Sequence, residues 1–99
     1  MKVPFVDMGR LHAATRDDVL AGFARVLDSG GFVQGPEVAA FEAEFARQYD
    51  VPHAIAVNSG TAALHLALEA NGIGAGDEVI TTPMSFVATA TAIIEAGAW

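Results

Sequence analysis

The stretch Ala54-Ile55-Ala56-Val57-Asn58-Ser59-Gly60-Thr61-Ala62-Ala63-Leu64 most constrains what this chain can fold into. A short apolar run ends in a polar, glycine-containing corner, and an alanine- and leucine-rich helix is expected at once. Strand, tight turn and helix in that order aim several backbone N–H groups at one point. The helix dipole adds partial positive charge there, so the corner suits an anion, typically a phosphate. Ser59 and Thr61 add hydroxyl donors. Gly60 lets the backbone approach a ligand with no Cβ in the way. The same residues also read as a plain helix start, with Asn58 or Ser59 as the N-cap.

A length of 99 residues allows one small domain and no more. The hydrophobic fraction of 53% is high for a chain that must keep much of its residue count at the surface. Either a membrane or further protein surface is expected to cover part of it. No run of eighteen apolar residues occurs, which argues against a transmembrane helix. Pro4 and Asp7 interrupt the N-terminal region, so no signal peptide is read there and a cytoplasmic location is expected. The chain has no cysteine, which excludes disulfides and thiolate chemistry. A net charge of −7 with five basic residues and no basic cluster gives nucleic-acid binding no support. His12, His53 and His65 are scattered without an i, i+4 pair, so no metal site is read. His65 falls inside an apolar helix, where a hydrogen-bonded core histidine is expected.

Taken in order, residues 1–14 read as irregular, because Pro4 and Gly9 oppose helix. Thr15 followed by Asp18 resembles a capping box. Val19, Leu20, Phe23, Val26 and Leu27 then recur at helical spacing, and Gly30 and Gly31 end that helix. A short loop, 32–35, leads to Pro36, which suits the first helical position. Val38, Phe41, Phe45 and Tyr49 form the apolar side of the next helix, which Val51-Pro52 closes. A strand is expected at 54–57, then a helix at 61–71, apolar nearly all round and so expected to be covered, with Gly72 past its end. Residues 74–77 have turn chemistry. A second strand is expected at 78–81, a helix at 86–95 stopping at Gly97, and a strand start at Ala98-Trp99. Strand, helix, strand, helix is the α/β pattern with a mostly parallel sheet. Two strands cannot make a stable parallel sheet, whose faces must both be covered. The chain is therefore expected to be the N-terminal piece of a larger protein, with 1–53 a helical segment and 54–99 the start of an α/β core.

In such sheets ligands bind outside the carboxyl ends of the strands. The corners 58–61 and 82–86 both lie there. Phe86 can offer a flat face to a planar ligand whose phosphate sits on Gly60 and Thr61, or it can be plain core. Thr82, Ser85 and Thr89 read more simply as caps or turn residues. No nucleophile and base pair is evident.

Phe5-Val6-Asp7, Ser29-Gly30, Gly35-Pro36-Glu37-Val38, Phe41-Glu42, residues 58–64, Gly76-Asp77-Glu78-Val79-Ile80 and Phe86-Val87-Ala88-Thr89 occur in that order. Together they resemble the N-terminal part of the DegT/StrS-type sugar aminotransferases, fold-type I enzymes that use pyridoxal 5′-phosphate (PLP). The resemblance covers essentially the whole chain. It implies transfer of an amino group, usually from glutamate, to a nucleotide-linked keto-sugar, or in some members a cyclitol, by a homodimer. By that resemblance Gly60 and Thr61 hold the PLP phosphate, Ser59 stands close by, Phe86 stacks on the pyridine ring, and the 32–35 loop lies near the active site of a dimer. The family's Schiff-base lysine and pyridinium-pairing aspartate lie further along, and the sole lysine here is Lys2. No catalytic residue is therefore assigned, and the chain alone is expected to be inactive.

Three other readings stay open. One is the lysine-less PLP-dependent dehydratase of the same family. Another is a non-catalytic regulatory or binding fragment. The third is a nucleotide-binding α/β domain, although both G-x-G-x-x-G and G-x-x-x-x-G-K-[ST] are missing.

Overall fold

Asp7 opens the first helix. Its Oδ1 accepts from the Arg10 N–H at 3.0 Å, satisfying one of the donors that a helix start leaves free. The computed structural model describes residues 3–99, so Lys2 lies outside the described residues. Among the described residues five helices follow one another: α1 (Met8–His12), α2 (Arg16–Ser29), α3 (Pro36–Gln48), α4 (Gly60–Ala70) and α5 (Ala88–Glu95). They fall into two compact units, one ending at Ala54 and one spanning Ile55–Trp99. Among the described residues no helix is long and apolar enough to cross a membrane.

In the first unit α1 corrects the expectation of irregular chain up to residue 14. Pro4 lies before the helix, Gly9 costs a helix only about 1 kcal/mol relative to alanine, and the Asp7 cap offsets that. Thr15 is the N-cap of α2, but its side chain makes no capping bond. The hydroxyl turns back and donates to the His12 carbonyl at 3.4 Å, so the capping box does not form. Gly30 closes α2 in the left-handed region, φ 68°, with its N–H on the Val26 carbonyl.

The turn between α2 and α3 depends on Gly35. Its backbone is extended, at φ −79° and ψ −176°, a conformation open to any residue. The requirement is steric, because a Cβ there would collide with the Gly31 carbonyl oxygen. Pro36 then takes the first helical position of α3. Glu37 in the first turn reaches Arg25 of α2 as a fork, Nε to Oε1 at 2.6 Å and Nη2 to Oε2 at 3.0 Å. That hydrogen bond first, with the guanidinium charge, holds the Glu37 carboxyl below its ordinary range and raises Arg25. Phe41, Phe45 and Tyr49 stand in a row on α3, with Phe45 and Tyr49 stacked at 4.4 Å between ring centres. The helix ends through Asp50, a non-glycine residue at φ 51°, and the Val51 N–H reaches the Ala46 carbonyl at 3.0 Å.

In the second unit α4 and α5 pack on each other. Both end in the same device. Gly72 (φ 73°) and Gly97 (φ 83°) turn left-handed. Around the first, Gly72 N–H bonds the Glu69 carbonyl and Ile73 N–H that of Leu68. Around the second, Gly97 N–H bonds Ile94 and Ala98 N–H bonds Ile93. These are two Schellman motifs. The turn from Gly74 to Asp77 is closed twice, by Asp77 N–H on the Gly74 carbonyl and by Gly74 N–H on Asp77 Oδ2 at 2.8 Å.

The expected β-strands do not form among the described residues, so the βαβα part of the α/β expectation is not confirmed: residues 54–57 and 78–81 carry no regular secondary structure. A strand exists only through its ladder, and a parallel ladder needs a neighbouring strand along its length. Here one pairing begins. Trp99 N–H donates to the Asp77 carbonyl and Val79 N–H to the Trp99 carbonyl, the alternation of a parallel pair. Among the described residues the buried hydrophobic ones are Ala88, Ala92, Ile93 and Ala98. No residue of α4 is buried, so the cover expected for that helix is not present among the described residues.

Two glycines of the first unit are expected to answer oppositely to alanine. Gly22→Ala places a methyl in ordinary contact with Arg25, 3.5 Å from its nearest atom. Its denaturation midpoint is expected to rise, corresponding to roughly 0.5–1 kcal/mol of helix propensity. Gly35→Ala is expected to lower it, by about 1–3 kcal/mol of steric strain. In an NMR titration, Glu37 is expected to titrate below the ordinary carboxylate range and to return to it in Arg25→Ala. A carboxyl lowered in the folded state stabilises above its unfolded pKa, and that contribution is lost as pH falls through the folded value.

Candidate functional site

Ser59 sets the start of α4. Its backbone is extended at φ −161° and ψ 159°, and its Oγ accepts from the Ala62 N–H at 3.1 Å. Its carbonyl accepts from Ala63 N–H at 3.0 Å. Those bonds leave the N–H groups of Gly60 and Thr61, the first two helical residues, without an intrahelical acceptor, as helix geometry requires. The hydroxyl proton of Ser59 also stays available, because its oxygen acts as the acceptor in the cap. A Cβ built on Gly60 would meet nothing within 4 Å, so the space in front of this corner is open.

Gly60, Thr61, Ala63 and Leu64 of this helix line a cavity of about 520 Å³ together with Phe86, Ala88 and Thr89. Of the four residues that the sequence singles out, three therefore face one space: Gly60, Thr61 and Phe86. Ser59 stands at its edge as the cap. The two corners meet without a regular sheet beneath them, through the packing of α4 on α5. Phe86 precedes α5 instead of lying in it, and it is 77% exposed, so its ring has a free face.

The loop that carries Phe86 is tied on both sides. The Met84 N–H donates to Thr82 Oγ1 at 3.3 Å. The Thr89 N–H donates to the Phe86 carbonyl at 3.1 Å, and Thr89 Oγ1 shares a hydrogen bond with Ser85 Oγ at 3.0 Å. Thr89 was legible only as a cap or turn residue. Its place three residues after Phe86, on the first turn of α5, is the signal that it returns to the same wall. Ala63 and Leu64, at i+3 and i+4 from Gly60, follow from helix periodicity alone.

His65 does not have the hydrogen-bonded core environment expected of it. Its Nε2 is buried without a hydrogen-bond partner and lies 3.5 Å from Glu69 Oε1, one turn further along the half-exposed face. Among the described residues no cluster of three or more His, Cys, Asp or Glu side chains could hold a metal ion.

Residues 14–99 match the sequence model of the DegT/DnrJ/EryC1/StrS aminotransferase family. The chain belongs to that family. It is 46% identical over 97 residues to the dTDP-3-amino-3,4,6-trideoxy-alpha-D-glucose transaminase of Streptomyces venezuelae, which covers 98% of this chain and 26% of that protein. It is 44% identical to the UDP-N-acetyl-3-dehydro-alpha-D-glucosamine 3-aminotransferase of Acidithiobacillus ferrooxidans, over 97% of this chain and 26% of that one. The crystal structure of S. venezuelae DesV in complex with a ketimine intermediate superposes with a TM-score of 0.91 at 46% identity, again over 98% and 26% of the two chains. The chain thus spans about a quarter of the length of these relatives, and that quarter shares their fold-type I backbone.

If Ser59 works as a cap, Ser59→Ala is expected to cost α4 about 1 kcal/mol. Faster hydrogen exchange at the Ala62 and Ala63 amides, without change in the first unit, is the expected readout.

Proposed function

We propose that this chain supplies the phosphate- and ring-binding side of a PLP site in a nucleotide-sugar aminotransferase. The observation that carries this reading is the shared cavity: Gly60, Thr61 and Phe86 line one open space at a helix N-terminus. The donor set fits the cofactor. Two outward N–H groups, the Thr61 hydroxyl and the positive end of α4 suit a phosphate dianion. The exposed ring of Phe86 suits a flat heterocycle beside it. When bound, PLP supplies the electron sink that lets an amino group pass between two substrates.

In this reading Gly60 and Thr61 donate to the phosphate and fix one end of the cofactor. Ser59 holds those donors in register through its cap and can add its own hydroxyl proton. Phe86 covers one face of the pyridine ring, orients it and keeps water from that side. Residues 54–99 form the start of the cofactor-binding core and 1–53 a helical segment ahead of it. The covalently attached lysine and the aspartate for the ring nitrogen belong to the rest of a full-length protein, of which this quarter is the N-terminal part. The names of the two relatives, one a dTDP-sugar and one a UDP-sugar enzyme, support a nucleotide-linked keto-sugar as the acceptor. Glutamate is the amino donor and a homodimer the assembly that this reading carries.

Gly60 provides an unusually clean test. Proline is well tolerated at the first helical position, and Ser59 already has the extended backbone that a following proline demands. Gly60→Pro therefore deletes one phosphate donor while leaving α4 intact. In PLP titrations of the full-length apo-protein, Gly60→Pro is expected to weaken binding more than Thr61→Val. Thr61→Val is expected to weaken it roughly tenfold or more, since a hydrogen bond to a charged group is worth about 1.5–3 kcal/mol. Phe86→Leu is expected to cost ~1–3 kcal/mol of stacking. Unchanged affinity in all three variants would exclude this corner as the cofactor site.

A further inference from the structure

We propose that the Ser85–Thr89 hydroxyl pair positions the Phe86 ring, making Thr89 a positioning residue of the cofactor site; this rests on the PLP reading. An exposed aromatic ring beside a cavity has two torsions to restrain. Phe86 is 77% exposed, and among the described residues the paired aromatic rings are those of Phe41, Phe45 and Tyr49, not its own. Packing therefore does little to hold it, and the restraint has to come from the backbone on either side. That backbone is clasped. Ser85 immediately before Phe86 and Thr89 three residues after it share the 3.0 Å hydroxyl bond. The Thr89 N–H closes the same turn on the Phe86 carbonyl at 3.1 Å.

Thr89 is half-buried and lines the cavity with Gly60, Thr61 and Phe86, while Ser85, Phe86 and Thr89 also line a second cavity. The clasp thus joins the residues on either side of Phe86, and Thr89 belongs to the same cavity wall as the ring. Its effect is to fix the φ and ψ of Phe86 before any ligand arrives, so that less conformational entropy is lost on binding. Valine at position 89 keeps the branched shape and the backbone bond but deletes the hydroxyl. Serine keeps the hydroxyl. The two together separate positioning from packing.

The test uses the full-length protein, titrated as apo-enzyme with PLP and read by affinity and by the visible circular dichroism of the bound cofactor. That signal reports the asymmetric placement of the ring against its surroundings. Thr89→Val and Ser85→Ala are each expected to weaken PLP binding about threefold to tenfold, the range of one neutral hydrogen bond, and to diminish the dichroism. Thr89→Ser is expected to restore both. In a Phe86→Leu background Thr89→Val is expected to add nothing, because the ring it positions is gone. Should Thr89→Val fail to fold, the exposed Ser85→Ala carries the same test. Normal affinity and dichroism in Thr89→Val and Ser85→Ala, with Phe86→Leu impaired, would overturn the positioning role and leave the PLP reading standing. Equal losses from Thr89→Val with and without Phe86 would also overturn it. A wild-type protein that binds no PLP, or a Phe86→Leu variant that binds it normally, would overturn the PLP reading of the ring and the inference with it.

Discussion

The candidate site depends on how α4 begins. A helix start leaves N–H groups without partners, and only some of them can be satisfied by a cap. Ser59 takes the Ala62 N–H and leaves those of Gly60 and Thr61 outward. With no side chain at Gly60 and open space beyond it, this end of α4 is a bare patch of partial positive charge. Packing of α5 on α4 brings the loop of Phe86 to the same cavity, and the buried alanines 88 and 92 keep that packing close.

Local chemistry explains the helix ends well. Gly30, Gly72 and Gly97 were readable as stops because only glycine enters the left-handed region without a Cβ penalty, and all three are there. Pro36 was readable as a start for the complementary reason. Asp50 was not readable, because it takes the left-handed position that glycine usually holds. The short helix α1 is hidden in the pattern because Pro4 and Gly9 oppose helix, while the Asp7 cap that starts it is a single local hydrogen bond. The capping box at Thr15 failed because the residue's backbone is already helical, at φ −111° and ψ −2°, and its hydroxyl prefers a carbonyl behind it.

The strands illustrate the limit of pattern reading. Residues 78–81 have strand composition, but composition does not make a ladder. The bonds joining Asp77, Val79 and Trp99 show where a parallel pairing begins. The same non-locality explains the apolar surface of α4, which the sequence pattern marks for cover and which is not buried here. The site itself was more legible than the sheet around it. Gly60, Thr61 and Phe86 were singled out from residue chemistry and family resemblance, and Ala63 and Leu64 in the same wall follow from ordinary helix periodicity. The contribution of Thr89 was hidden, since a threonine on a first helical turn looks like any cap.

The most direct measurement is a crystal structure of the full-length protein with PLP bound. It should show phosphate oxygens within about 2.7–3.2 Å of the Gly60 and Thr61 backbone nitrogens, the usual N–H···O range. The pyridine ring should lie against the face of Phe86. A phosphate held elsewhere, with the N-terminus of α4 facing solvent or protein, would contradict the account.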